Sequence, residues 1–215
     1  MVSPTRVGVV VVAAGSGDRF GGPKQLAPFG SARVVDHAVQ AAREVAEVVV
    51  VVVPQDQVPA VARSLPADVT CTAGGDTRSA SVRAGLVLIP TDCDIILVHD
   101  GARPLAGAQL FRRVVDAVID GADAVVPAVA VTDSIRHRDD GAVDRHDLVA
   151  VQTPQGFRAD LLRSAHAGND DATDDAALVE AVGGKVVLVD GETTNLKITN
   201  PQDLRIAEGI LKERP

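Results

Sequence analysis

Only two cysteines occur, Cys71 and Cys93, and they form neither a C-x-x-C pair nor part of a histidine cluster. That spacing gives no support to a zinc site or a redox dithiol and reads as two buried, reduced thiols. Lysine is almost as scarce: four in 215 residues, at positions 24, 185, 197 and 212, in a chain that otherwise takes its cations from arginine. There is no basic tract, and the net charge is −8. A surface of that sign repels polyanions, which excludes nucleic acid and anionic membrane as partners and requires any phosphate-binding charge to be local. Long apolar segments are missing too. The run Val48–Val53 stops at Pro54, and a bilayer span takes about 20 such residues. Arg6 precedes an apolar stretch of the kind seen in secretory signals, but that stretch is short and flows directly into a glycine-rich loop, which disfavours a signal peptide. A cytoplasmic protein is expected. Repeats and low-complexity segments are absent as well.

What is present is an alternation of apolar runs with helical patterns. Strands are expected near Val7–Val12, Val48–Val53, Val69–Thr72, Ile95–Val98 and Ala124–Val131. Helices are expected near Val34–Val45, Val58–Ser64, Arg78–Leu88 and Gln109–Ile119. Repeated β-α units imply right-handed crossovers onto a mostly parallel sheet, with ligands received at the C-terminal ends of its strands. The expected fold class is α/β, a Rossmann-like three-layer αβα arrangement built as one domain over residues 1–215. The regularity breaks after Asp133. Ser134–Asp147 is dense in Arg, Asp and His, with Asp140-Gly141 as a hairpin turn signal, so a solvated β-hairpin protruding from the domain is expected there.

Residues Val7–Gln25, VGVVVVAAGSGDRFGGPKQ, carry the clearest chemistry. A β-branched run is followed by Ala13-Ala14-Gly15-Ser16-Gly17, small residues that leave backbone N–H groups uncovered to bind anionic oxygens, with Arg19 and Lys24 adding fixed positive charge. A triphosphate fits such a loop. The dinucleotide pattern G-x-G-x-x-G fails because Phe20 stands where its third glycine belongs, and a P-loop fails because Lys24 follows Pro23 and precedes Gln25. A strand-to-helix turn without ligand would leave Arg19 and Lys24 unexplained.

The stretch VAAGSGDRF…PKQ resembles the signature of the sugar-nucleotide transferases, and within them most closely the 2-C-methyl-D-erythritol 4-phosphate cytidylyltransferase family. AGGDTRSASV (Ala73–Val82), VHDGARP (Val98–Pro104), VTDSIR (Val131–Arg136), VQTPQGF (Val151–Phe157), TDDA (Thr173–Ala176) and NLKIT (Asn195–Thr199) resemble that family in its order. The resemblance implies an enzyme moving a cytidylyl group from CTP onto a polyol phosphate, with Mg²⁺ as cofactor. It gives Arg19, Lys24 and Lys197 to the phosphates and transition state. Ala13, Ala14, Gly15, Gly75, Asp76 and Ser81 would hold the nucleotide, and Asp100, Arg103, Ser134, Arg145 and Thr153 the acceptor. Asp100 is also the candidate ligand for Mg²⁺, directly or through water. Residues 132–150 would form an arm that crosses to a second subunit and helps complete its site, which implies a homodimer. In the family a fused cyclase sometimes follows; this chain ends soon after its last expected helix, so a single activity is expected.

The chemistry agrees with the residue types. A phosphate monoester acceptor has its second pKa at about 6 and arrives anionic, so no general base is needed. His37, His99, His137, His146 and His166 lie on different elements without metal-ligand spacing and read as structural or solvated. Asp76 is open to two readings, contact with the cytosine edge or N-cap of the Arg78 helix. Asp174 and Asp175 read as caps of the helix that starts there. Three departures from the family pattern stand out: Val12 where proline is usual, Ser134 where threonine is common, and a short Phe20–Pro23 segment. Two other functions remain open at this level: transfer to ribitol 5-phosphate, and nucleotide sensing without turnover. Retention of Arg19, Lys24, Asp100 and Lys197 together argues against the second, since sensing needs no transition-state lysine pair.

Overall fold

Valine fills five of the six positions of Val7–Val12 (β1) and all six of Val48–Val53 (β4), and all but one residue of each strand is buried. Strands so apolar on both faces need cover on both sides, which is the situation of a parallel sheet between two helix layers. The computed structural model describes residues 5–168 and 170–213; the expected domain limits at 1 and 215 lie outside the described residues. After β1 come a short hairpin, Pro28–Phe29 (β2) and Ala32–Arg33 (β3), then Val34–Arg43 (α1), β4, Val58–Ser64 (α2), Val69–Ala73 (β5), Arg78–Leu86 (α3), Ile95–Asp100 (β6), Ala108–Ile119 (α4) and Ala124–Ala130 (β7). The second half holds Ile135–His137 (β8), Gly141–Val143 (β9), Val149–Val151 (β10), Gln155–Arg158 (β11), Ala159–Ala165 (α5), Asp175–Ala181 (α6), Val186–Asp190 (β12) and Pro201–Glu213 (α7).

The main sheet runs β10-β7-β11-β6-β1-β4-β5, with β12 on the free edge of β7. The two-residue period of the strands divides the core. Val9, Val11, Val49 and Val51 face α1 and α4 on one side. Val10, Val50, Val52 and Ile96 face α3, α5 and α6 on the other. The three-layer αβα expectation is met. Parallel pairing holds among β5, β4, β1 and β6 and between β7 and β12. It fails at β10 and β11, which run antiparallel. β11 lies between β6 and β7, two strands of like direction, and was not anticipated because Gln155–Arg158 carries only one large apolar side chain, Phe157.

The helix expectations hold to within two residues. α3 ends at Leu86 rather than Leu88, where Val87 and Leu88 turn outward. The charged segment after Asp133 is a hairpin as expected: β8 and β9 pair antiparallel with His137 opposite Gly141, whose φ is +93°. A third apolar cluster, Phe29, Val34, Leu105, Ile198 and Ala207, packs α7 against the β2–β3 hairpin and the 195–199 loop. It brings the two motif lysines, distant in sequence, onto one scaffold.

Candidate nucleotide-phosphate site

Chain order sends β4 and β5 to one side of β1 and β6 to the other, so the crossovers diverge between β1 and β6. A crevice at the C-terminal ends of such strands is the expected ligand position. A cavity of about 570 Å³ opens there, walled by Gly15 and Ser16 after β1, Gly75 and Asp76 after β5, and Asp100 at the end of β6. That is within the range of small-molecule sites, ~300–1,000 Å³.

The glycine loop owes its shape to Gly17. Its φ is +74°, and a Cβ there would stand 1.8 Å from the Gly22 carbonyl oxygen. The N–H groups of Phe20, Gly21 and Gly22 all donate to Gly17 O and fold residues 17–22 into a tight turn. Ala14, Gly15 and Ser16 line the cavity. Ala13 lies beneath it in the core, its N–H held by Val52 O at 2.7 Å.

Lys24 opens a 3-10 turn, Lys24–Leu26, and lines the cavity half-buried. Burial pushes its ammonium below the usual lysine range, and Lys197 and Arg19 push the same way against Asp100 and Asp203. Lys197 and Arg19 are therefore each within electrostatic reach of Lys24. Arg19 is exposed and forms no ion pair among the described residues.

Lys197 reaches the cavity from the opposite side, with Nζ 2.7 Å from Asp100 Oδ2. Its loop is clamped at several points. Ile198 N–H donates to Ala102 O at 2.8 Å and Arg103 Nη1 to Asn195 O at 2.7 Å. The buried Asn195 amide donates to Gln152 Oε1 at 3.2 Å and to Thr153 O at 3.0 Å.

Asp100 is only 8% exposed and has three cations around it: Lys197, and the Nε atoms of Arg78 and Arg103, each at 3.8 Å. Burial raises its carboxyl pKa, but Lys197, Arg78 and Arg103 together outweigh that and bring it to about 2. Its backbone is fixed by a chain of hydrogen bonds. Asp100 N–H donates to Thr153 Oγ1 at 2.9 Å, Thr153 Oγ1 lies 3.1 Å from His99 Nδ1, and His99 Nε2 lies 3.3 Å from Arg103 O. A carbonyl accepts only, so Nε2 carries the proton and Nδ1 accepts from the threonine. Burial holds His99 neutral, lowering its pKa to about 4. The structural reading of His99 and His166 is met, and both are buried. The Thr153 hydroxyl expected at the acceptor is thus engaged inside the protein and 5% exposed at the residue level.

At the base end, Thr77 rather than Asp76 is the N-cap of α3, accepting from Ala80 N–H at 3.1 Å. The capping reading of Asp76 is corrected by one residue, because the cap oxygen must meet the N–H three positions on. Asp76 is left exposed at the cavity wall, and Ser81 lies 2% exposed beneath it, donating to Thr77 O at 3.0 Å. Asp174 caps α6 as expected, through Ala176 N–H at 2.7 Å. Asp175 does not cap. It is fully buried against Arg78 and His166. Ser134 and Arg145 belong to the hairpin region and do not line this cavity; Arg145 donates to Thr132 O.

Two residues of the wall escaped the sequence reading. Arg78 lies inside the quoted AGGDTRSASV motif, yet its partners come from β6 and α6. Gln25 is 4% exposed, and its Oε1 has no hydrogen-bond partner among the described residues; the PKQ triplet was the only signal for it.

A mostly parallel sheet with a glycine loop after its central strand, and two lysines meeting in one cavity with a buried carboxylate, defines an α/β enzyme handling nucleotide phosphates. The profile of 2-C-methyl-D-erythritol 4-phosphate cytidylyltransferase matches residues 7–213. Relatives of that name from Rhodococcus jostii and Frankia casuarinae are each 44% identical to this chain, over 95% of it and 94% of the first protein, and 98% of it and 83% of the second. The crystal structure of the Thermus thermophilus protein of the same name superposes with a TM-score of 0.83 at 35% identity, covering 97% of this chain and 100% of that one. The chain belongs to the 2-C-methyl-D-erythritol 4-phosphate cytidylyltransferase family.

Proposed function

We propose that this chain transfers the cytidylyl group of CTP to 2-C-methyl-D-erythritol 4-phosphate, in the non-mevalonate route to isoprenoids. A phosphate oxygen of the acceptor attacks the α-phosphorus, the bond from that phosphorus to the bridging oxygen of the β-phosphate breaks, and pyrophosphate leaves. The observation that carries the reading is the convergence of Lys24 and Lys197 on one cavity beside the glycine loop. Charge that develops on the α-phosphoryl oxygens is stabilised by cations fixed before the reaction starts. Lys24 and Lys197 serve that group and Arg19 the outgoing phosphates. Ala14 and Gly15 present backbone to the nucleotide above Ala13. Gly75, Asp76 and Ser81 read the cytosine edge, where exposed Asp76 has a free carboxylate for an exocyclic amine.

Asp100 and Arg103 face the acceptor, and Thr153 acts by fixing the Asp100 backbone. Mg²⁺ would be held here as counter-ion of the triphosphate. Asp100 is the residue that would hold it, and water would bridge the two, because Lys197, Arg78 and Arg103 already surround the carboxylate. When bound, the ion supplies additional positive charge to the phosphates.

The functional unit in this reading is a homodimer joined through the arm of residues 132–150. Val149 within the arm (46% exposed) and Leu188 on β12 (51%) line one groove, and Val151 just past the arm is 45% exposed, which supports this apolar region being covered by a second copy. Ser134 and Arg145 then close the acceptor end of the partner's site. Both substrates are small phosphorylated solutes, which supports a cytoplasmic setting, and no helix among the described residues is long and apolar enough to cross a membrane. The test is pyrophosphate release by the purified protein with Mg²⁺ and CTP and one of methylerythritol 4-phosphate, ribitol 5-phosphate or no acceptor. Release with the first alone is expected. Preference for ribitol 5-phosphate would replace the acceptor, and silence with both would remove the reaction.

A further inference from the structure

Asp175 has no exposed side-chain surface, and a carboxylate so placed needs partners for both oxygens. One oxygen has a cation and the other a hydrogen-bond donor. Oδ2 forms an ion pair with Arg78 Nη1 at 2.7 Å that lacks hydrogen-bond geometry, and Oδ1 lies 3.0 Å from Nε2 of buried His166, which donates because a carboxylate only accepts. Arg78 is the first residue of α3, and its side chain, 24% exposed, forms part of the cavity wall. Its guanidinium spans two carboxylates, Asp175 behind the wall and Asp100 within the cavity. The two contacts are unequal. Nη1 is in close contact with Asp175, while Nε stands 3.8 Å from Asp100 Oδ1.

That inequality matters at Asp100. Oδ2 is engaged by Lys197 at 2.7 Å, whereas Oδ1 has Arg78 at 3.8 Å as its nearest cation. Oδ1 is thus left able to accept a hydrogen bond from a substrate. Without a competing anion, Arg78 would close onto Oδ1, since an arginine facing a carboxylate settles into a short, forked pair.

We propose that Asp175, braced by His166, is a positioning residue that holds Arg78 back from Asp100 and so keeps Asp100 Oδ1 open for a hydroxyl of the acceptor polyol. Asp175 touches no substrate and acts only through Arg78. The proposal rests on the reading above in which Asp100 faces the acceptor.

Steady-state pyrophosphate release by the full chain tests it. Wild-type turnover with CTP and the acceptor is established first, and its absence would count against the functional reading and not this one. Asp175→Asn keeps the shape and removes the charge. The acceptor KM is expected to rise fivefold or more with the KM for CTP within twofold of wild type, a split that a general loosening of the fold would not produce. The double variant Asp175→Asn/Arg78→Met removes the freed guanidinium, and the acceptor KM is expected to fall back below that of Asp175→Asn alone. An acceptor KM that rises less than fivefold in Asp175→Asn, KM values that rise together, or a double variant no better than the single one overturns the proposal. Should Asp175→Asn fail to fold, His166→Leu decides. It removes one brace, and a rise in acceptor KM alone supports the proposal, while a rise in both or in neither overturns it.

Discussion

Lys197→Met removes the ammonium that bridges Asp100 and the cavity while keeping an apolar stem of similar length. At 2.7 Å and an effective dielectric of about 20, the gross attraction to Asp100 is about 6 kcal/mol. The Lys197 side chain is 44% exposed, so water recovers most of that on removal, and Asp100 keeps Arg78 and Arg103. The net cost to folding is about 1 kcal/mol or less, which in a chain of this size shifts Tm by about 2–4 °C. The catalytic cost is larger, because a pre-placed cation at the α-phosphate acts where charge develops and has no solvent substitute in the closed site. Loss of one such group is worth about 3–4 kcal/mol, or roughly 10²–10³ in kcat. The triphosphate keeps the glycine loop, Arg19 and Lys24, so the KM for CTP should change by less than about tenfold. The assay is initial-rate pyrophosphate release at saturating substrates, with thermal unfolding in parallel. A kcat within tenfold of wild type, or a loss confined to KM, would refute the assignment of Lys197 to the transition state.

Three further outcomes follow from the same geometry. His99 is neutral in the folded protein, with its pKa lowered from 6.5 to about 4; the unfolded chain therefore binds the proton first, and stability is lost as pH falls from 6.5 to 4. About 3 kcal/mol is at stake, and urea unfolding of wild type against His99→Gln across that interval should show a steeper fall in wild type, the carboxylates contributing equally to both; parallel curves would contradict the assignment. Gly17→Ala forces a Cβ into the space of Gly22 O at positive φ and should weaken CTP binding at least tenfold by calorimetry through a displaced loop; affinity within twofold of wild type would show that the turn does not shape the phosphate cradle. Leu188→Asp, in the exposed apolar surface beside the arm, should shift sedimentation from dimer to monomer and lower turnover, whereas a wild-type protein already monomeric at assay concentration would contradict the arm's role.

The sequence carries the first half of the sheet plainly because β1, β4 and β6 are buried on both faces, and such strands have few polar positions to obscure them. β12 lies at the edge of the sheet, with Val187 and Leu188 exposed, and β11 is a short antiparallel insertion between two parallel strands. Neither leaves a periodic signal. The site is legible where function is concentrated in contiguous motifs, as in the glycine loop with Arg19 and Lys24. It is illegible where a side chain's role is set by distant partners. Arg78 looks like one more charged residue at a helix start, and only the approach of the first residues of α3 and α6, Arg78 and Asp175, turns it into a bridge between Asp100 and Asp175. Asp76 and Thr77 show a finer limit: both can cap a helix, and a one-residue difference in where the helix begins decides which is left for a ligand.

In the proposed reaction the cations around this cavity join CTP to a polyol phosphate. Phosphorus NMR of the protein with Mg²⁺, CTP and methylerythritol 4-phosphate tests it directly. The pair of resonances of a new diphosphodiester should appear and grow in equal amount with pyrophosphate while the monoester signal disappears. An unchanged CTP spectrum, or CMP and pyrophosphate formed with the monoester untouched, would contradict it.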